Sequence, residues 1–520
     1  MATKQTGKGG PSRRPGRPAT KSPEPTQSTT AAPPRGLPPL AAAAIVFMAA
    51  GAVLILEILA VRLLAPYVGL TLETTTSIIG ATLAGIAGGA AIGGMLADRT
   101  DTRLLVVRLL IGGGMLALLT VPLVHWLGPG VRGKGDLAAL GVTLVALVPA
   151  AAVLSAASPA VAHLQLRDLT RSGTVVGRLS AWGTAGALIG TFGTGFVLIP
   201  LMPASTAILL TGAVLIVAGL VLAVSTHRVS KVAMVGAAVI GIGLGTLSAT
   251  SSSPCQTETT YHCASVAVAA DDPDGRTLLL DNVSHSYVDV KDPTHLKFPY
   301  VQWIADGING ANPGKKPLNV VFIGGGGFTL PRWLLATRPG SKAHVLEVDG
   351  ELVEFDKEKL GLRTSPDLRV TVGDARINLK DVPTDSADVV VGDAFGSYVI
   401  PWHLATKEWT QDIKRVLKPG GLYALNIIDY PPLEALRAEI ATLRDVFSDV
   451  RMVAFSDYEG KPLGANAVLL ASDRPLPASV DSERADGVTF SEEEVEGLAT
   501  GAPVLTDDNA PVDQLLTIDD

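Results

Sequence analysis

The sequence predicts an N-terminal α-helical membrane bundle of about seven spans, followed by a C-terminal α/β domain with a small β-rich entry. Three observations predict it. Long apolar stretches fill residues 39–254; strands alternate with helices after residue 317; glycines and acids recur at the ends of successive strands. About 20 consecutive apolar residues let a helix cross a bilayer. Alternating strands and helices are the pattern of a doubly wound parallel sheet.

Charge divides the chain. Residues 1–38 carry seven Lys/Arg against Glu24 and are rich in Pro, Gly, Ser and Thr. Such a segment cannot bury enough apolar surface to offset chain entropy, so it reads as a disordered basic tail. It does not read as a cleavable signal peptide, because the apolar run after it is too long and more spans follow. From Cys255 onward 24 basic residues face 42 acidic ones. That balance excludes nucleic acid as a partner, since phosphates repel such a surface.

The spans fall near 40–64, 75–97, 104–126, 138–160, 179–201, 205–225 and 232–250, within a transmembrane domain of 39–254. Runs such as GATLAGIAGGAAIGG place small residues at helical spacing, which lets helices approach closely in lipid. Arg99, Arg103 and Arg108 follow span two; Arg167, Arg171 and Arg178 follow span four; Arg228 and Lys231 follow span six. The opposite loops hold only Arg132 and Lys134. The positive-inside rule then puts the N-terminus in the cytoplasm of a multi-pass cell-membrane protein. An odd number of spans puts the C-terminal domain outside, where a nucleoside enzyme is awkwardly supplied, so its side stays open. Cys255 and Cys263 form a disulfide on an oxidising side or remain two thiols. Glu57 and Arg62 lie within span one; charges there are costly and face a partner or a cavity, with pairing the simpler expectation.

Residues 255–317 read as the β-rich entry, with a DDPDG turn, and 318–475 as the α/β core. Core strands are expected near 318–323, 343–348, 368–372, 387–392, 421–427, 450–455 and 466–471, with helices near 329–337, 351–361, 406–417 and 433–446. KPGG at 418–421 reads as a helix stop and turn. The segment 476–520 reads as an acidic tail whose charged run faces solvent, with TDD-APVD a candidate to fold back over the core.

The site lies where the pattern repeats. Strand 318–323 runs into Gly324, Gly325, Gly326 and Gly327, and the second strand ends in Glu347 and Asp349. A glycine turn lets a ligand approach the backbone, and an acid about 20 residues on holds ribose hydroxyls. Asp374 follows the third strand and Asp393 the fourth. The turn lacks the full dinucleotide fingerprint, so its spacing suits adenosine on a sulfonium better than a pyrophosphate. No metal constellation is visible, since the histidines are scattered and the cysteines lack zinc-ligand company.

With these motifs in place, residues 258–475 resemble the spermidine synthase (polyamine aminopropyltransferase) family, in the subgroup fused to an N-terminal multi-span membrane region. LEILAVRLLAPYVG and GGMLADR resemble that subgroup's spans. The resemblance implies a Rossmann-like, methyltransferase-type fold and transfer of an aminopropyl group from decarboxylated S-adenosylmethionine, a co-substrate rather than a tightly bound cofactor, to putrescine or a related amine. It implies that Glu347 holds the ribose, Asp374 and Ala375 contact adenine, and Asp393 is the catalytic acid that accepts the amine proton. Gly324, Gly325 and Gly326 form the nucleoside turn; Tyr261-His262 stands for a Tyr-Gln pair with His262 near the nucleoside; Pro401 lines that site. Tyr300, in FPYVQW, with Tyr398 and His403, is a candidate acceptor-site residue. A homodimer is implied by the same likeness.

Two positions depart from the family. Gly327-Phe328 replaces Asp-Gly, and Asp393-Ala394-Phe395-Gly396 replaces Asp-Ser-x-Asp. Both lost carboxylates would hold a cationic acceptor; Asp289, Asp292 and Asp306 are candidate replacements. The departures keep two other readings open. One is an S-adenosylmethionine-dependent methyltransferase-like enzyme with a different acceptor. The other is a non-catalytic nucleoside or polyamine sensor or transporter-associated domain.

Overall fold

A computed structural model describes residues 37–517 except 70–71, 133, 135, 167–171, 227–228, 397–399, 458–459 and 478–485. The basic tail before Leu37, Arg167, Arg171, Arg228 and Tyr398 lie outside the described residues.

The first half is helical: α1 (Pro39–Val68), α2 (Leu72–Arg99), α3 (Thr102–Leu127), α4 (Asp136–Ala146), α5 (Val148–Ser155), α6 (Ala157–Gln165), α7 (Ser172–Gly193) running on into α8 (Ile199–Leu201), α9 (Ala204–Thr226) and α10 (Lys231–Thr250). Six described helices are long and apolar enough to cross a membrane, and the pair Leu137–Ala146 and Val148–Gln165, bent by 46°, brings the number to seven if it is one broken span rather than a re-entrant loop. The break follows from Pro149, which has no N–H for the preceding turn and crowds its carbonyl. Close packing rests on glycine. A Cβ on Gly186 would collide with the carbonyl of Phe47, and one on Gly190 would lie 2.6 Å from the carbonyl oxygen of Gly51, so α1 and α7 meet backbone to backbone.

Polar contacts mark the two ends of the bundle. At one end Gln165 Nε2 donates to the Leu37 carbonyl at 2.8 Å, and His163 Nδ1 lies 3.2 Å from Thr102 Oγ1. At the other, Arg132 stacks over Tyr67 at 5.3 Å and His125 Nδ1 meets Ser251 Oγ at 2.8 Å. The C-terminal domain sits at this second end, where Glu258 accepts from Ala204 N and Ser205 Oγ.

That domain opens with an antiparallel sheet of β1 (Thr257–Glu258), β2 (Cys263–Ala269), β3 (Asp272–Leu280) and β4 (Val283–Asp289). Cys255 and Cys263 are joined as a disulfide, which decides between the two readings of these cysteines. Most of the expected DDPDG turn is absorbed into β3. After α11 (Pro299–Ala311) come β5 (Asn319–Ile323), α12 (Thr329–Thr337), β6 (Lys342–Glu347), α13 (Gly350–Lys359), β7 (Leu368–Val372), α14 (Ala375–Asn378), β8 (Ala387–Gly392), α15 (Lys407–Val416), β9 (Leu417–Asp429), α16 (Glu434–Arg444), β10 (Asp449–Ser456), β11 (Pro462–Ser472), β12 (Val488–Phe490), α17 (Glu492–Ala499) and α18 (Val512–Leu515).

These strands form one sheet in the order β12-β10-β11-β9-β8-β5-β6-β7, with β5 to β9 parallel. The chain winds outward from β5 through β6 to β7, then returns to β8 on the other side. The switch point therefore lies between the carboxyl ends of β5 and β8, where open α/β sheets take ligands. Apolar cores cover both faces, one around Trp409 and Leu469 and one around Trp303 and Phe322.

Two expectations change. KPGG is a bulge inside β9, where the pairing to β8 slips between Ala387 and Val389, because the ladder resumes on both sides of Gly420. The segment after 475 is more than a solvent-facing tail: β12 pairs with β10, and Asp507, in the TDD-APVD run that is the candidate to fold back, accepts from Arg376 and Thr406. Its acidic run is α17, closed by a capping box between Ser491 and Glu494.

Candidate functional site

A cleft of about 820 Å³ opens at the switch point. β5 delivers the glycine turn there. Gly324 has φ +90°, and a Cβ on it would strike the Asp393 carbonyl, so the first and fourth strands approach more closely than any side chain permits. Gly326 has φ +47°. Phe328 also sits left-handed at φ 58°, fully buried, with its ring 2.9 Å from where a Gly325 Cβ would stand.

Glu347, at the end of β6, accepts from Gly325 N at 2.7 Å and from Asp349 N at 2.9 Å. Burial pushes its carboxyl upward against these two bonds. Asp349 caps α13 through the N–H groups of Glu351 and Leu352, both at 3.0 Å, and receives the Thr259 hydroxyl. Asp374 caps α14 through Ile377 N at 3.0 Å and meets His403 Nε2 at 3.0 Å; Ala375 is buried beside it.

Asp393 stands across the cleft at the end of β8. Asn426 Nδ2 donates to its Oδ1 at 2.9 Å and Tyr300 Oη to its Oδ2 at 3.3 Å. Burial pushes its carboxyl up to about 6, opposed by these two hydrogen bonds. Burial and the Asp393 charge hold the Tyr300 phenol well above its usual value, so it remains a donor.

The structure thus brings together His262, Gly324, Gly326, Glu347, Asp374, Ala375, Asp393, Pro401, Tyr300 and His403 on one cleft, with Gly325 beneath it. His262 pairs with Asp281 at 3.1 Å. Among the described residues Asp289, Asp292 and Asp306 do not line the cleft. Asp289 and Asp292 instead close turns through the N–H groups of Lys291 and Thr294, both at 2.9 Å. The space of the missing carboxylate at Gly327 is filled: a Cβ there would lie 2.9 Å from Val288 Cγ2 and 3.0 Å from Ser286 Cβ. Gly396 borders the cleft.

Sequence reading missed Asn426, Asn466 and His285, all cleft residues. Asn466 donates to Asn426 at 3.0 Å, extending the network away from Asp393. The signal for Asn426 was an amide inside the apolar strand LYALNIID, where a buried polar group needs a partner. His285 left no such signal; burial lowers its imidazole to about 4, which keeps it neutral.

Known proteins share sequence with the part of the chain that carries this cleft. Over 193 residues the chain is 30% identical to a polyamine aminopropyltransferase of Vibrio vulnificus, covering 37% of this chain and 61% of that protein. Over 174 residues it is 24% identical to one from Bacillus cereus, covering 32% and 62%. The C-terminal half of this chain is similar to polyamine aminopropyltransferases. The chain spans about three-fifths of the length of these curated relatives. A probable spermidine synthase from Corynebacterium glutamicum superposes with a TM-score of 0.45 at 27% identity, covering 48% of this chain and 95% of that one. No protein-family model matches the chain.

Proposed function

We propose that the C-terminal domain is an aminopropyltransferase, carried by a membrane-embedded bundle, that moves the aminopropyl group of decarboxylated S-adenosylmethionine onto putrescine or a related amine. One observation carries this reading. Asp393 is buried opposite the Glu347 rim, is held by Asn426 and Tyr300, and has its proton affinity raised toward neutrality. A carboxylate so placed is a base poised for an amine proton.

Glu347 holds the ribose, the glycine turn admits the nucleoside to the backbone, and Asp374 with Ala375 borders the adenine, with His262 and Pro401 on the walls. The acceptor nitrogen uses its lone pair to bond the methylene next to the sulfonium. The carbon–sulfur bond breaks, its electrons go to sulfur, and methylthioadenosine leaves as a neutral thioether. Asp393 takes the proton from the new secondary ammonium. The protein contributes mainly alignment and exclusion of water.

The test is release of methylthioadenosine by the purified full-length protein, dependent on both decarboxylated S-adenosylmethionine and an amine. Gly327 and Gly396 favour a second reading, a methyltransferase-like enzyme with another acceptor. Methyl transfer from ordinary S-adenosylmethionine, without aminopropyl transfer, would select it.

Seven crossings with a cytoplasmic N-terminus put this domain on the far side of the membrane. Two observations support that arrangement. Arg99 and Lys231 lie at or beside the helix ends remote from the domain, and the Cys255–Cys263 disulfide suits an oxidising compartment.

A further inference from the structure

We propose that residues 258–262 form a strap through which the helix bundle sets the wall of the nucleoside cleft, with Arg62 of α1 as its positioning residue. This rests on the cleft taking a nucleoside.

Arg62 does not find its partner in Glu57. Its guanidinium reaches out of the bundle to two backbone carbonyls of the other domain, those of Thr260 and Thr259, the second at 3.1 Å. A guanidinium offers several donors in a rigid plane, so two adjacent carbonyls fix the strap's position and its direction. The strap is held at its start as well. Glu258 receives the Ser205 hydroxyl at 3.0 Å and the Ala204 N–H, at the beginning of α9. Two different helices of the bundle therefore grip three consecutive residues of the strap, Glu258 to Thr260.

From there polar contacts run unbroken to the glycine turn. The Thr259 hydroxyl, buried, donates to Asp349; Asp349 N donates to Glu347 at 2.9 Å; Glu347 receives Gly325 N at 2.7 Å. Thr259 Oγ1 also accepts from the N–H of His262 at 2.9 Å and of Tyr261 at 3.2 Å, the two strap residues that line the cleft. The void between α1 and the strap is about 20 Å³, room for about one water, so the two pack closely. A connected network whose centre, Thr259, Asp349 and Glu347, is buried has few alternative arrangements. Movement of α1 against α9 is thus relayed to the Glu347 rim and to the Tyr261–His262 wall.

The experiment is equilibrium binding of methylthioadenosine to the full chain in detergent or nanodiscs. It compares the wild type with Arg62→Met, Thr259→Val and Arg108→Met, a charge exposed on α3 away from the strap. Losing a charged donor to two carbonyls weakens binding about tenfold in Arg62→Met, with Arg108→Met unchanged. In turnover the same variant raises KM for the nucleoside co-substrate and leaves KM for the amine unchanged, a split that general loss of folding does not produce. Thr259→Val breaks the chain outside the bundle and shows the same loss even if Arg62→Met fails to fold. Wild-type affinity in Thr259→Val, or in a folded Arg62→Met, overturns the strap while leaving the nucleoside reading intact. A wild type that binds no nucleoside overturns that reading, and the strap falls with it.

Discussion

Tyr300 donates its phenolic hydroxyl to Asp393 across 3.3 Å, joining the first turn of α11 to the end of β8. The pair combines a group that keeps its proton with one that releases its proton near pH 6. It gives the cleft a directional proton site, so Asp393→Asn should abolish proton acceptance without emptying the nucleoside half. Turnover should fall by roughly 10²- to 10⁴-fold, with methylthioadenosine affinity within a few-fold of wild type. Stopped assays of methylthioadenosine release beside calorimetric binding would measure both.

The pH profile follows from the same carboxyl. A base acts deprotonated, and burial raises Asp393 to about 6, so activity should fall as pH drops through about 6 and hold above it. Tyr300→Phe removes a bond that favours the charged form. The acidic limb should then move to higher pH.

If the proposed function holds, Glu347→Gln should weaken nucleoside binding by about ten- to a hundredfold, because a neutral amide loses charge-assisted bonds to Gly325 N and Asp349 N and to the proposed ribose. KM for the amine should change far less. Equal losses for both substrates would place Glu347 outside the nucleoside half.

The two departures from the related enzymes are unlike each other. Gly327→Asp would overpack against Val288 and Ser286, costing about 1–3 kcal/mol without improving use of a diamine. Gly396→Asp, on the exposed cleft wall, should be tolerated and lower KM for putrescine relative to a monoamine. Melting curves and acceptor competition would separate them.

A C-terminal tag should be digested by protease added to intact cells whose outer barriers have been opened, while an N-terminal tag remains protected. Protection of both tags would remove the bent pair α4 to α6 from the count of crossings.

Much of this was legible in residue order. Apolar length marked the spans, and strand–glycine–helix punctuation marked β5 and α12, because these signals depend on neighbours in the chain. The acids of the rim were legible for the same reason, each lying at or just past the end of its own strand. The bulge at KPGG and the strand β12 were not legible, and the TDD-APVD run offered a fold-back without naming Arg376 as the partner of Asp507. Each depends on a partner far away in sequence.

The sequence by itself determined a bundle of long apolar helices, a parallel sheet and the glycine-and-acid rim of its switch-point cleft. Periodicity, chain reach and local turn chemistry leave few other solutions. Only the tertiary structure decided that Cys255 joins Cys263, that Gly327 has no room for a carboxylate, and that Arg62 grasps the strap beside His262. Those facts arise where distant segments exclude one another's atoms or satisfy one another's polar groups, and no local pattern encodes such meetings.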